Sequence, residues 1–430
     1  MAIVLGLGLT LALLWMLRGA SGPALAQSGL ALVPPSLTRQ HTPVVITGGH
    51  LSDLTGSPLG EVFVYAYQGT TPTQIPFQID ERDGSGMYAA VEDGQLDDND
   101  ELVFMAIDGG GWVDNLSLAA GGMLITPTYV ITLTDPISDT HAWAYVFCSA
   151  ALSRTFTADY VSYDDGNDRI TSSGRYTLGF NADHGFLDYL ALGDGSPNLL
   201  DRSKLRITGT LYTIPFSFSE ENIAQDGVHT IDGPVRVTRV STSTFSGQSY
   251  SVTLFAYRSL VVRPETIVVP GSPAQVSYLR ISMDWNEQAL GMIYYDANNP
   301  AGVTIDGEPD SGFIFTPATT WTQVTSVTGT VVNVSNIPAG LGGSQSTYYR
   351  DDDSPDSNDT GDWLSYGDAG LQVDNPNPGT YTTLGHIYFP TGTTANVGAT
   401  YVEYYDNPFQ TNVAAVPSRW YVHLPLVVKN

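Results

Sequence analysis

The chain is poor in cysteine, in positive charge and in helical periodicity, and each shortage excludes something. A single cysteine, Cys148, rules out an intramolecular disulfide framework. It lies in the apolar run Tyr145-Val146-Phe147-Cys148, where a small buried hydrophobe is expected rather than a nucleophile. Lys and Arg total 17 against 44 Asp and Glu, a net charge of -27. That surplus argues against nucleic acid and anionic membranes as partners. Apolar residues at i, i+3, i+4 and i+7 are nowhere sustained over three turns, so no long amphipathic helix is predicted.

Long hydrophobic runs are missing too, except at the start. Ala2 to Leu17 is almost purely apolar, Arg18 ends the run, and Ala24-Leu25-Ala26 follows. Small residues at the first and third of those positions fit a signal peptidase, so residues 1–26 read as a signal peptide cleaved before Gln27. No Lys or Arg precedes the run, and retention as an anchor is the alternative, although about 16 residues fall short of the ~20 that span a bilayer. The mature chain is expected to hold no transmembrane segment and to work outside the cell, secreted or at its surface.

What is present is β signal. Glycine numbers 44, proline 26 and tyrosine 24. Short runs rich in Val, Ile, Thr, Tyr and Phe recur between turn residues, as in Glu61 to Tyr67, Thr128 to Thr134 and Ser251 to Tyr257. In Val235 to Val240 the alternation is strict, with Val235, Val237 and Arg239 opposing Arg236 and Thr238, which predicts one core face and one wet face. The fold class is all-β: antiparallel β-sandwich domains, with a β-supersandwich as one form. The expected division is an N-terminal β domain at 27–150, a central sandwich at 151–330, a third β unit with an acidic loop at 331–418, and a tail at 419–430.

Calcium is the cofactor that the acidic clusters suggest. Asp93 to Glu101 holds five acids in nine residues, with Asp97 and Asn99 as candidate ligands. In the loop 351–362, Asp356, Asn358 and Thr360 alternate before Gly361, the first half of a calcium loop, and Asp352 and Asp362 are further candidates. The twelfth position is Gly367 rather than a bidentate Glu, so an EF-hand is not expected. The competing readings are a turn capped by Asp side chains for the first cluster and a solvated acidic loop for the second. Asp164 to Asp168 reads as a hairpin turn.

Arg202, Lys204 and Arg206 share one strand face, either to hold an acidic ligand or to pair with acids on a neighbouring strand. The seven histidines show no zinc spacing. His184, with Tyr189, Arg202 and Arg206, is the best available set for acid–base work on a sugar. Trp285, Trp363 and Tyr366 are the candidates for a carbohydrate platform, against the plainer reading that such aromatics fill the core.

Ile75-Pro76-Phe77-Gln78-Ile79-Asp80-Glu81-Arg82, followed by Leu96 to Phe104, resembles the opening of uncharacterised secreted bacterial β-sandwich proteins, some similar to polysaccharide-lyase-like and mutarotase-like proteins. Gly233-Pro234-Val235-Arg236 is similar to a strand start in the same group. The tail Leu424-Pro425-Leu426-Val427-Val428-Lys429-Asn430 resembles the LPLVxxN tails of secreted bacterial proteins, which implies sorting or attachment to the cell envelope. The resemblance implies a β-sandwich that engages polysaccharide. Three functions follow as expectations: a carbohydrate-binding protein, a polysaccharide lyase or hydrolase, and a structural envelope component.

Overall fold

The computed structural model describes residues 32–417, apart from 34, 40, 70, 90, 91, 114–116, 121, 122, 246 and 247. The expected signal peptide and the C-terminal tail lie outside the described residues. Within them the chain is all-β and antiparallel throughout, with one α-helix, Gly398–Asp406. No helix among the described residues is long and apolar enough to cross a membrane.

Alternation builds the first sandwich. In Tyr129–Asp135 every second residue is buried, beginning with Tyr129, Ile131 and Leu133. This strand sits in a five-stranded sheet ordered Gln410–Ala415, Tyr129–Asp135, Thr140–Cys148, Val62–Gln68, Thr71–Gln74. The sheet packs on a four-stranded one ordered Pro43–Thr47, Glu101–Met105, Phe77–Arg82, Tyr88–Ala89. Their shared core holds Val44, Leu102, Phe104, Ile131, Tyr145 and Phe147. Burying each such side chain contributes about 1.5–3 kcal/mol. Cys148 is half-buried against this core.

Glu101–Met105 is buried at every position, and its two faces serve two cores. Leu102 and Phe104 point into the first sandwich, while Val103 and Met105 join Val235, Tyr257, Leu260, Trp321 and Val332. Those partners lie in, or for Val235 just before, a nine-stranded sheet ordered Ala224–Asp232, Arg236–Phe245, Gln248–Tyr257, Leu260–Val269, Gly379–Tyr388, Thr330–Ser335, Trp321–Thr325, Ile293–Asp296, Val303–Thr304. Its other face meets a second five-stranded sheet (Ile214–Ser219, Leu200–Leu211, Ala274–Trp285, Ser365–Asp374, Ser344–Asp352) and a four-stranded sheet over Ser162–Leu192. The sheets therefore stack in layers, and the nine-stranded sheet is covered on both sides.

Two expectations need correction. The division near 330 is not a break in the sheets: Thr330–Ser335 pairs with Trp321–Thr325, Gly379–Tyr388 pairs with Leu260–Val269, and Ser365–Asp374 pairs with Ala274–Trp285. Strands after 330 complete sheets begun before it, and Gln410–Ala415 returns to the first sandwich beside Tyr129–Asp135. The face carrying Arg236 and Thr238 is also not wet. Both residues are buried and reach Asp80 in the first sandwich. The hairpin turn at Asp164 to Asp168 is present, joining Ser162–Asp164 to Arg169–Ser172.

The segments singled out by resemblance meet one another here. The Gln78 carboxamide accepts from the Val235 and Arg236 N–H groups at 2.9 and 2.7 Å and donates to the Arg236 carbonyl at 3.0 Å. Gly233 makes this possible, because a Cβ there would run into the Gln78 side chain. The Arg236 guanidinium pairs with Asp80 and, at 2.8 Å, with Glu101. These residues bind the two sandwiches together.

The layered core also sets an acid limit. His386 donates or accepts through Nδ1 at the Tyr388 hydroxyl, 2.9 Å away, and burial pushes its ring from the usual 6.5 down to about 4. The folded state therefore binds fewer protons than the unfolded chain between those values. Stability from this group is full above pH 6.5 and is lost as pH falls toward 4, by up to about 3 kcal/mol. His386→Gln removes that slope, so the stability gap between variant and wild type should narrow as pH falls through this window. Urea unfolding at pH 7 and pH 4.5 checks it, and a constant gap would refute it.

Candidate functional site

The densest polar cluster grows from the period-two cations of Leu200–Leu211. Arg202, Lys204 and Arg206 lie on the face of the second five-stranded sheet that looks away from the nine-stranded one. Beside them, on Ala274–Trp285, stand Arg280, Ser282 and Asp284; on Ser365–Asp374 stands Asp368. The acidic loop closes over this face and brings Asp359 and Thr360 into it.

Lys204 is fully buried. Its ammonium donates to Asp284 and, at 3.0 Å, to Asp359. Arg206 donates to Glu220 and Asp359, both at 2.6 Å, and to Thr360 at 2.5 Å. Thr360 in turn donates to Glu220 at 2.5 Å. Arg280 lies 3.7 Å from Asp368 and 4.2 Å over the Tyr348 ring. Burial works against the Lys204 charge, but Asp284, Asp368 and Asp359 outweigh it and hold the ammonium above its ordinary value. Burial likewise works to raise Asp359, yet Lys204 and Arg206 hold it at about 2. Asp201 is pushed up to about 6 by burial and then by Asp362. Gly361 (φ +78°) lets the loop lie against Asp201, whose carboxylate a Cβ would strike.

Asp284, Asp359 and Asp368 are the one group among the described residues whose carboxylates come within metal-ligand spacing of each other. A lysine ammonium already bridges two of them. The predicted calcium ligands are placed elsewhere. Asp97 turns its backbone N–H onto Asp100, and Asn99 spends its amide on the Arg82 and Asp83 carbonyls. Asp352 and Asp356 flank Arg350 at 3.2 and 3.5 Å. Asn358 caps onto Asp356, and Asp362 accepts from the Leu364 N–H. Arg350 thus stands against two of the four candidate residues of the acidic loop.

The acid–base set divides. Arg202 and Arg206 share Glu220, with Arg202 also 3.1 Å from Glu221. His184 is buried; its Nδ1 accepts from the Phe186 N–H at 3.2 Å, and burial followed by Arg202 lowers its pKa. Tyr189 lies apart from this network, its ring 4.0 Å under the Arg169 guanidinium.

The three aromatic candidates also part. Trp285 is 1% exposed in the core, so it presents no face to a ligand. Its place in Ala274–Trp285 falls on the inward side, as for Met283, two residues earlier. Tyr366 is buried in the same core. Burial raises its hydroxyl, followed by the nearby charges of Asp353, Asp362 and Glu287, so its polar end sits at an acidic rim. Trp363 is 55% exposed and stands at φ +66°. A bulky residue adopts that backbone only when its surroundings impose it. Here the Trp363 carbonyl accepts from the Asp356 N–H at 2.9 Å, and the Asp362 N–H donates to Asp201 at 3.2 Å. Sequence reasoning set Asp362 beside the aromatics but did not join it to Asp353 and Glu287, because Glu287 follows a different strand and joins the loop only in three dimensions.

No protein-family model and no curated protein matches this chain.

Proposed function

We propose that the protein is an extracellular carbohydrate-binding protein, exported by its N-terminal segment and attached at the cell envelope through its tail, with Trp363 as the stacking residue for a neutral polysaccharide. The observation that carries this reading is the exposed Trp363 ring on a backbone fixed in the left-handed region by the loop beneath it. A flat apolar face suits the C–H side of a pyranose, and the exposed carboxylates of Asp353, Asp362 and Glu287 offer acceptors for its hydroxyls. The buried ions cost the site no flexibility, since Lys204 and Arg206 tie the loop to the sheet before any ligand arrives.

The test is calorimetry of the exported chain with neutral polysaccharides. Trp363→Ala should weaken binding roughly tenfold, since an aromatic contact contributes about 1–1.5 kcal/mol, while Trp363→Phe keeps most of it. Wild-type protein that binds none of a broad neutral glycan panel, or a Trp363→Ala variant that binds unchanged, would refute the reading.

A further inference from the structure

Cations are scarce in this chain, and the fold spends most of those described on carboxylates: Arg39 on Asp135, Arg236 on Asp80 and Glu101, Arg239 on Asp168, Arg350 on Asp352 and Asp356. Arg175 departs from that pattern. Its charged neighbour is Arg258; burial, then that like charge, work against its ionisation, and what opposes them is the Tyr401 hydroxyl rather than a carboxylate. Arg258 at least lies in the field of Asp108, which Arg175 does not.

Ser172 links the two arginines. The Arg175 N–H donates to the Ser172 carbonyl at 3.0 Å, and the Ser172 hydroxyl donates to the Arg258 carbonyl at 2.6 Å. The Gly193 N–H closes on the Arg175 carbonyl at 2.9 Å. Arg175 lines a cavity of about 290 Å³, walled by Leu192 and Phe389 on the apolar side and by Thr328, Thr330 and Thr391 on the polar side. Asp194 stands near its rim, exposed, and accepts from the Gly174 N–H at 2.8 Å.

We propose that this cavity is a binding site for a small oxyanion, the carboxylate or phosphate of a ligand of about monosaccharide size, held by Arg175. Arg258 does not line the cavity, so an anion bound there would answer the half-buried guanidinium of Arg175 alone. Its planar fork matches an oxyanion in two-point fashion. The volume lies at the lower end of the range for small-molecule sites. The site belongs to the junction of the four-stranded and nine-stranded sheets and does not depend on Trp363.

The experiment is calorimetry of the full exported chain at fixed ionic strength with inorganic phosphate, galacturonate and, as the uncharged comparison, galactose. Saturable binding of phosphate or galacturonate is expected, and which of the two binds identifies the anion's source. Arg175→Gln should weaken it at least roughly tenfold, the loss of a charge-assisted pair. Thr391→Glu, at an exposed position of the lining, sets a like charge against the ligand and should weaken it similarly, so the result does not hang on the folding of one variant. Binding of neither anion overturns the proposal. So does binding that both variants leave unchanged.

Discussion

Lys204→Met should lower the unfolding free energy by about 3–5 kcal/mol at neutral pH, the loss found when one partner leaves a buried ion pair. The side chain is fully buried, and Met, unbranched and one atom shorter, fills most of its space, so packing changes little. What changes is charge. Asp284 loses its cation, and Asp359 keeps only Arg206, with Arg280 3.9 Å away. In the wild type Asp359 titrates at about 2, below the usual 3.8. Its contribution is therefore present above pH 3.8 and is lost as pH falls toward 2. In the variant Arg206 alone is left to hold Asp359, so that contribution is reduced, and the difference from wild type should be largest near pH 7 and shrink in acid. Salt should alter it little, because the pair is screened from solvent. Urea unfolding at pH 7 and near pH 2.5 measures it. A loss under 1 kcal/mol, or a loss that does not change with pH, would show that Lys204 is not what neutralises the cluster.

Arg236→Ala is expected to cost a similar amount, about 3–5 kcal/mol, by a different route. Asp80 and Glu101 lie in the first sandwich and Arg236 in the nine-stranded sheet, so the variant strands the Asp80 carboxylate between layers and leaves Glu101 with Arg82 and Tyr88. The Gln78 contacts go to the Arg236 backbone and survive the substitution. The cost therefore reports the ion pair rather than the strand contact. Adding Asp80→Asn to the Arg236→Ala background should recover part of the loss, because one uncompensated charge goes. A double-mutant cycle by thermal unfolding reads this directly. Additive effects of the two substitutions would exclude coupling across the layers.

Both predictions rest on residues that the sequence displays but does not connect. The period-two spacing of Arg202, Lys204 and Arg206 places them on one face, and that placement is correct; of the two meanings offered for it, pairing with acids is the one present. Asp284 on the neighbouring strand was open to that inference. Asp359 was not, because it arrives from a loop 155 residues away in sequence. The acidic loop showed alternating oxygens in its spacing, yet Arg350 gathers Asp352 and Asp356, and spacing alone cannot reveal which cation stands nearest.

The sequence by itself determined that this is an all-β chain of antiparallel strands, because alternation, turn residues and missing helical periodicity are local properties of consecutive residues. It also determined which side chains share a strand face. Only the tertiary structure decided what each face meets. Period-two alternation marks two faces and does not say whether the polar one touches water or another layer, so Arg236 and Thr238 read as wet and are buried against Asp80. It decided likewise that Trp285 fills the core while Trp363 stands in solvent. The physical reason is that antiparallel pairing joins strands far apart in the chain, as when Gln410–Ala415 closes a sheet begun at Val62, and burial follows from that pairing rather than from any residue's neighbours in sequence.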